Sequence, residues 1–501
     1  MKMGSWIDTV ISVFAPGTAA RRTSNRICYN ELRNYEAANM GRLHDDWGMV
    51  HGSAEETDKL SRPILRARAR NLELNSDMAE GIIGAIVRNV IGTGIRPQAR
   101  ITTQDGDMDE ERNKALEDAW KIWRKPENCD VSEQQSFEEM EEMICRRFIV
   151  DGEVFGHFVM NEDKPYMLQL QFIEPERVQA FDAYSKDGNQ IVSGIEMTKA
   201  FKPVNYWILE QEPLGYTSYQ AKPYPADTIL HLWKRQRPTQ VRGITILARV
   251  MNKIHQVDAY LNADLIAARA AASYVAFITT PHAAVERSRK KAKTAELKPG
   301  MVGYLNPGES VTFGEPNRNA SGVAEYTKVM SRKIATGVDV SYDLVSRDIT
   351  GNFSAARQNL LEDRKSFEPL QQFFVDHFLQ KIWEKFVTIC YLKGILNAPD
   401  FNENPEKYYA VRWQTPGWSW IDPTKEIKAQ KEALRAGITS LSDVCGSQGV
   451  DWEEVLQQQA MERKKAQELG LELDIFTNDT GTTDDKSDKD EEESDDGKEE
   501  K

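Results

Sequence analysis

The residues Gly243 to Ile278, GITILARVMNKIHQVDAYLNADLIAARAAASYVAFI, run thirty-six positions without a proline and with one glycine, at the start. Read as one helix rising about 1.5 Å per residue, the stretch is roughly 50 Å long, more than the width of a small domain. Its two halves differ. Ile246, Val250, Ile254, Val257 and Leu261 recur every three or four residues, the stripe of a helix packed on a sheet or on another helix. Between Ala259 and Ala276 eight residues are alanine. Alanine has the highest helix propensity, and its small side chain lets neighbouring helices approach closely. Asp258, Asn262, Asp264 and Arg269 interrupt any apolar run of about 18 to 20 residues, so the stretch does not read as a membrane span.

The whole chain, 501 residues and 40% hydrophobic, has room for three or four domains. Its five cysteines (Cys28, Cys129, Cys145, Cys390, Cys445) are odd in number and widely scattered, which points to free thiols in a reducing compartment, not to a disulfide framework or a zinc site. Of the net charge of −14, half sits in Asp484 to Lys501, with eleven acids against four lysines. The mildly acidic remainder has the wrong sign for a tight grip on phosphate backbones, though not for transient contact with nucleic acid. At the N-terminus Asp8 breaks the apolar core a signal peptide needs, and Trp6, Ile7, Val10, Ile11 and Phe14 fit one helical face instead.

Upstream of the long stretch, Ser61 to Gln98 reads as helix in two pieces. Arg62, Arg66, Arg68 and Arg70 there could bind phosphate or pair with neighbouring acids, and read first as a solvated or subunit-facing charged face. Helices are expected over Asp109–Arg124 and Ser132–Phe148, the second with Glu138, Glu139, Glu141 and Glu142 on a solvated face. From Phe148 to Trp233 the period falls to two, through Phe155, Phe158 and Met160, then Leu168, Leu170 and Phe172, then Tyr206 and Ile208, then Ile229, His231 and Trp233. This is an α+β domain with a mostly antiparallel sheet. WKRQRPTQVRG, Trp233 to Gly243, leads out of it, and its cations Lys234, Arg235, Arg237 and Arg242 suit a phosphate site or an interface equally well.

Downstream, Pro281 ends the helical pattern. A basic cluster follows at Arg287, Arg289, Lys290, Lys291 and Lys293, and MVGYLNPGESVTFG, Met301 to Gly314, reads as a small hairpin. Val323 to Val338 is helical again. After the loop Ser346 to Phe353, Leu370, Phe374, Phe378, Ile382, Phe386 and Ile389 form the core stripe of a helix that Pro369 should kink. Asp422-Pro423 and Asp451 mark the starts of a last helical unit, with Gly437 and Gly470 as stops. Past Thr477 the chain is acidic and low in complexity, a composition that does not bury a core.

The sequence contains no phosphate-loop, GxSxG, HExxH, CxxC or zinc-deaminase motif, and its seven histidines are scattered singly. No catalytic residue, metal or cofactor is therefore expected. Glu362 and Asp363, adjacent on a helix and about 100° apart, are the poor basis for a rival reading as a nucleic-acid hydrolase.

In order along the chain, WKRQRPTQVRG, the alanine-rich helix, the basic excursion, the returning helix, SRDITGNFSAARQNLLEDR and DPTKEIKAQKEALRAGITSL together resemble the lambda-type portal family of tailed bacteriophages. The resemblance covers about residues 30 to 470. It implies a ring, usually of twelve subunits, at one capsid vertex around a DNA channel. The implied parts are an N-terminal arm (1–29), a wing (30–250), a stem helix (251–280), a clip (281–322), a second stem helix (323–340), a tunnel loop with more wing (341–420), a crown (421–476) and an acidic tail (477–501). Asp348, Ile349, Thr350, Gly351, Asn352 and Phe353 would form the tunnel loop facing DNA, and Arg287, Arg289, Lys290, Lys291 and Lys293 the partner-docking clip. The implied partners are other copies of the chain, double-stranded DNA in transit, the terminase large subunit, the major capsid or scaffolding protein and a head-completion or tail adaptor protein, with no membrane. The implied place is the virion, after assembly in the bacterial cytoplasm.

Overall fold

The computed structural model describes residues 15–18, 20–22, 24–25, 46, 48–103, 105–178, 181–186, 188–211, 217–272, 276–279, 310–313, 320–347, 353–418 and 423–469. Two compact units divide the chain, residues 1–61 with 237–240, and the remainder. In the first, helix α1 (Ala54–Asp58) starts from a capping box of Ser53 and Glu56. Arg237 donates to Thr57 Oγ1 and to the Gly52 carbonyl, and Ala54 N–H donates to Thr239 Oγ1.

The second unit opens with helices α2 (Ser61–Asn75) and α3 (Asp77–Val90). Ser76 caps α3, whose Ile82, Ile83, Ile86, Val87 and Val90 are buried at helical spacing. Strand β1 (Arg96–Ala99) leads to α4 (Glu110–Trp123), capped by Asp109, and to α5 (Phe137–Asp151). The helix expected from Ser132 begins five residues later. Asp130 accepts the backbone N–H groups of Ser132, Gln134 and Gln135, holding that segment in a turn, and the Ser136–Glu139 capping box then starts α5.

Period-two alternation becomes antiparallel sheet. Strands β2 (Glu153–Met160) and β3 (Leu168–Ile173) pair with each other. Strands β4 (Ala183–Tyr184), β5 (Gln190–Val192), β6 (Ile195–Met197), β7 (Pro203–Gln211) and β8 (Thr217–Pro225) form a five-stranded sheet in sequence order. Strand β9 (Ile229–Trp233) returns to the free edge of β2, giving the order β3-β2-β9.

The long stretch is not one helix. A 3-10 turn over Ile246–Arg249, capped by Thr245, precedes helix α6 (Met251–Ala272). At about 1.5 Å per residue, 22 residues make about 33 Å. Beyond it Ala276–Thr279 is strand β10, paired antiparallel with β11 (Ser310–Phe313). Aromatic and β-branched residues, Phe277, Ile278 and Thr279, suit that strand better than a helix. Ser310–Phe313 therefore pairs with β10. The remainder of the expected hairpin, Met301 to Glu309, lies outside the described residues.

Helix α7 (Ala320–Gly337) returns alongside α6, followed by α8 (Tyr342–Ser346) and α9 (Phe353–Phe374), which runs helically past Pro369. A five-residue π-turn, Val375–Leu379, joins α9 to α10 (Gln380–Leu392). Of the expected stripe, Phe374, Phe378, Ile382, Phe386 and Ile389 are buried, and Leu370 is half-buried against the same core. Trp120 and Trp123 of α4 meet Phe137 of α5 and Phe386 of α10 at ring-centroid distances of 5.1 to 5.4 Å. Strand β12 (Val411–Gln414) pairs with β1. Helices α11 (Pro423–Arg435), α12 (Leu441–Ser447) and α13 (Trp452–Glu468) close the described chain. The starts at Pro423 and Asp451 are those expected, and Gly437 takes the left-handed conformation of a helix stop.

At the end of α7 a Cβ on Gly337 would stand 2.4 Å from Cγ1 of Val250, the residue just before α6. Overpacking there costs about 1–3 kcal/mol, against about 1 kcal/mol gained from replacing glycine in a helix. Gly337→Ala is expected to lower the melting temperature, and Val250→Ala in the same chain to recover part of the loss. Calorimetry on the single and double variants checks the coupling.

Candidate functional site

Two features of the second unit bear on function: the anchorage of the α6 root, and the change of surface along α6 and α7. The anchor is Glu153, the first residue of β2, wholly buried. Arg242 donates from Nη2 to its Oε1 at 2.7 Å and from Nε to its Oε2 at 2.8 Å, and Arg66 of α2 donates to Oε1 at 2.7 Å. Gly243 N–H donates to Oε2 at 3.0 Å, and His231 Nε2 of β9 lies 3.3 Å from it. Arg242 also donates to the carbonyls of Ser193 and Pro175, and stands 5.0 Å over the Phe155 ring. One carboxylate thus ties α2, β2, β9 and the segment entering α6.

Close backbone contact completes the anchor. Gly152 has φ +84, and a Cβ on it would come within 2.2 Å of the Ile244 backbone; one on Gly243 would meet the Gly152 carbonyl oxygen at 2.0 Å. Thr245 Oγ1 donates to the Ile149 carbonyl and accepts from Leu247 N–H, which fixes the turn before α6.

Beyond this root the surface changes. Met251, Ile254 and Val257 are buried, whereas past Asp258 Leu261, Leu265 and Ile266 are 38%, 47% and 64% exposed. Helix α7 mirrors this, with Ile334 and Ala335 buried, as is Val338 just past its end, and Tyr326 and Val329 exposed. Tyr260 meets Tyr326 at 4.8 Å between ring centroids. With Val250 against Gly337, that contact makes the pair antiparallel, rooted in the core at one end and bare at the other. The helix continues unbroken through Asp258, so burial changes there and direction does not.

The arginine clusters are divided: Arg68, Lys234 and Arg235 are exposed, whereas others are turned inward. Arg66 is buried on Glu153, and Arg70 donates to Asp151 at 2.7 Å. Arg242 belongs to the anchor, and Arg235 lies 5.4 Å over Trp233. Alternating periodicity showed His231 only as a strand residue; nothing local marked it as a partner of Glu153. Glu141, expected on a solvated face, is fully buried and accepts Ile95 N–H at 3.0 Å, and burial drives its carboxyl well above the usual range. Asp363 accepts from the N–H and hydroxyl of Ser341, whereas the exposed Glu362 pairs with Lys365 at 2.9 Å. The two carboxylates do not converge on one site. Asp348, Ile349, Thr350, Gly351 and Asn352 lie outside the described residues, as do Arg287, Arg289, Lys290, Lys291 and Lys293; Phe353 is the first residue of α9. Among the described residues no group of acids, histidines and cysteines is arranged to hold a metal ion, and no helix is long and apolar enough to cross a membrane.

A family model described as phage portal protein, lambda family, matches residues 40–371. A probable portal protein of Halomonas phage phiHAP-1 is 26% identical over 456 residues, covering 88% of this chain and 88% of that protein. Portal protein B of Escherichia phage lambda is 21% identical over 449 residues, covering 81% of this chain and 84% of that protein. Among solved structures, a chain from the neck of a native GTA particle aligns over 78% of this chain and 98% of that one, at 12% identity and a TM-score of 0.45.

Burial lowers the His231 pKa from 6.5 to about 4, outweighing the opposing pull of Glu153. Burial alone would raise Glu153, but the charges of Arg242 and Arg66 and the hydrogen bonds from His231 and Arg242 hold its carboxyl well below 4.5. Below pH 6.5 the unfolded chain therefore binds more protons at His231 than the folded chain does. Stability is expected to fall as pH drops from 6.5 towards 4, and further below 4.5 as Glu153 joins. His231→Gln, which does not titrate there, should flatten the melting-temperature profile between pH 6.5 and 4; an unchanged slope relative to wild type counts against this role.

Proposed function

The chain belongs to the lambda family of phage portal proteins, and from that premise we propose that it assembles as a ring of about twelve copies, the number coming from the family resemblance and not from the physics of the chain. The ring would stand at one capsid vertex, conduct DNA during packaging and ejection, nucleate procapsid assembly, and dock an ATP-driven terminase and later a head-completion or tail adaptor protein. The relatives named above are portal proteins, and the chain is accordingly read as a structural, non-enzymatic component of the virion.

The observation that carries this reading is the surface change along α6 and α7. A helix pair buried at its root and bare and apolar beyond it, with slim alanines between, suits packing against copies of itself around an axis. In this reading residues 251–280 and 323–340 are the stem, 281–322 the clip, 348–353 face DNA, and 421–476 form the crown. The rival reading as a hydrolase finds no support at Glu362 and Asp363, since Ser341 occupies the second of these.

Native mass measurement with negative-stain imaging of the purified full chain is expected to give closed rings; a monomer or dimer at every concentration overturns the proposal. Separately, the variant R289E/K290E/K291E is expected to form rings while losing terminase or adaptor docking. Packaging in extracts at the wild-type level would remove residues 281–322 as the docking surface.

A further inference from the structure

Helix α13 has little apolar cover. Of its described side chains only Ala466 is buried, Leu456 and Met461 are exposed, and none belongs to the hydrophobic core. Seventeen residues of helix with so little packing are marginally stable in water, so polar contacts at the first turn weigh heavily in its attachment. There Asp451 accepts Glu453 N–H at 2.8 Å as the helix cap, and Gln98 of β1 donates from Nε2 to both Asp451 oxygens, at 2.9 and 2.8 Å. Arg100, just past β1, donates to Gln98 Oε1 and lies 3.9 Å from Glu453.

Like charges meet at this joint. Glu117 of α4 faces Asp451 and Glu453, and Glu110, at the start of α4, faces Glu453 as well. Glu117 Oε1 accepts the Ala99 N–H at 3.0 Å, which ties it to the strand that also holds Asp451. Among the described residues, four carboxylates thus stand against two cations, Arg100 and Lys121, and Lys121 is shared with Asp118 on its own helix. The cation of the neighbouring strand is taken up elsewhere: Arg412 of β12, opposite Gln98, donates to Ser442 and Asp443 of α12. Burial raises the Glu117 carboxyl above 4.5; the Ala99 N–H opposes this, and Asp451 and Glu453 add to it. Burial and then Asp451 raise Glu453 likewise, against Arg100. Half-buried Cys445 of α12 also faces Asp451, and its thiol is raised too, by burial first.

We propose that the first turn of α13 is an electrostatic clasp, closed by Gln98 and Arg100 against the repulsion of Glu117 and Glu110, which tightens in acid and frees the helix as the pH rises. When α13 leaves, Glu117 keeps its place on α4 but loses the two negative charges of α13, so its carboxyl holds a proton less well. Attachment therefore favours the protonated acid, and by linkage the protonated acid favours attachment. The contribution is fully present below 4.5 and is lost as the pH passes the raised folded value. Its sense is opposite to that of His231 and Glu153, which weaken the fold in acid. The clasp does not depend on the portal reading.

Amide hydrogen exchange on the full-length protein at about pH 8 and about pH 5, expressed as protection factors so that the chemical exchange rate cancels, tests this. Residues 452–458 are expected to be better protected at the lower pH, by up to about fivefold for partly exposed charges. Helix α10, which reports the whole fold, should not be better protected there. Glu117→Gln keeps an acceptor for the Ala99 N–H and removes the charge; it should raise the protection of 452–458 at the higher pH and flatten the difference. Arg100→Gln removes the opposing cation and should widen the difference, whereas a merely structural loss would lower protection equally at both pH values. Equal protection of 452–458 at the two pH values in wild type, a wild-type difference in Glu117→Gln, or the same gain in α10 as in α13 overturns the clasp. So does an unchanged difference in Arg100→Gln, which decides the matter if Glu117→Gln does not fold.

Discussion

Burying a carboxylate costs several kcal/mol unless its oxygens are paired, and Glu153 is buried completely. Two guanidinium groups, one backbone N–H and one imidazole meet that demand, and they come from three separate parts of the chain, at Arg66, at His231 and at Arg242-Gly243. The consequence is geometric as well as energetic. Arg242 and Gly243 immediately precede the turn into α6, so the carboxylate that neutralises Arg242 also fixes where α6 begins. Gly152 and Gly243 are required for the same reason, since a Cβ on either would push the two backbones apart. Removing one cation would leave a buried charge partly unmatched, which is more damaging than never having had the pair. The direction in which α6 leaves the sheet therefore depends on this one group.

What α6 then presents follows from where the core ends. Among the described residues Val257 is the last of α6 to be buried, and the same stripe continues into Leu261 and Leu265, which are exposed. Fully burying a leucine or isoleucine is worth about 1.5–3 kcal/mol, so in the proposed ring a few such residues on each copy would supply a useful part of an association energy. Alanines between them keep the surface slim, which sets how closely a second helix can approach. A generic core helix would be covered along its whole length; this one is covered for about two turns.

The sequence shows most of what is local. The helix start at Asp451, alternation through Phe155, Leu170 and Ile208, and the stripe from Phe374 to Ile389 all use neighbours within a few residues, and the structure agrees with them; in the last strand Leu230 and Leu232 are buried beside the expected Ile229. It hides what depends on distant partners. Arg66 and Arg242 look like surface cations because their counter-charge lies 87 and 89 positions away. Ala276–Thr279 looks like a helix end because its strand partner, Ser310–Phe313, stands beyond a long excursion. Glu141 looks solvated among three other glutamates, yet its backbone partner Ile95 is 46 positions away. The order of segments along the chain was informative where single positions were not, and it led to the family that the matched region 40–371 establishes.

The redistribution of charge bears on the proposed passage of DNA. Several cations are consumed internally: Arg66 and Arg242 by Glu153, Arg70 by Asp151, Arg146 and Arg147 by Glu73. A pair of this kind presents little net field to a polyanion, because each positive charge is matched within a few ångströms. The chain outside its terminal tail is already acidic, and internal pairing removes some of the arginines that would have offset this locally. Such a surface weakens the cumulative phosphate contacts that make DNA binding tight and salt-dependent. A conduit needs that weakness, since every strong contact is also a barrier to the next step of sliding. Tight docking of a protein partner needs the opposite, and the cations at 287–293, concentrated in one short run, are the part of the sequence suited to it.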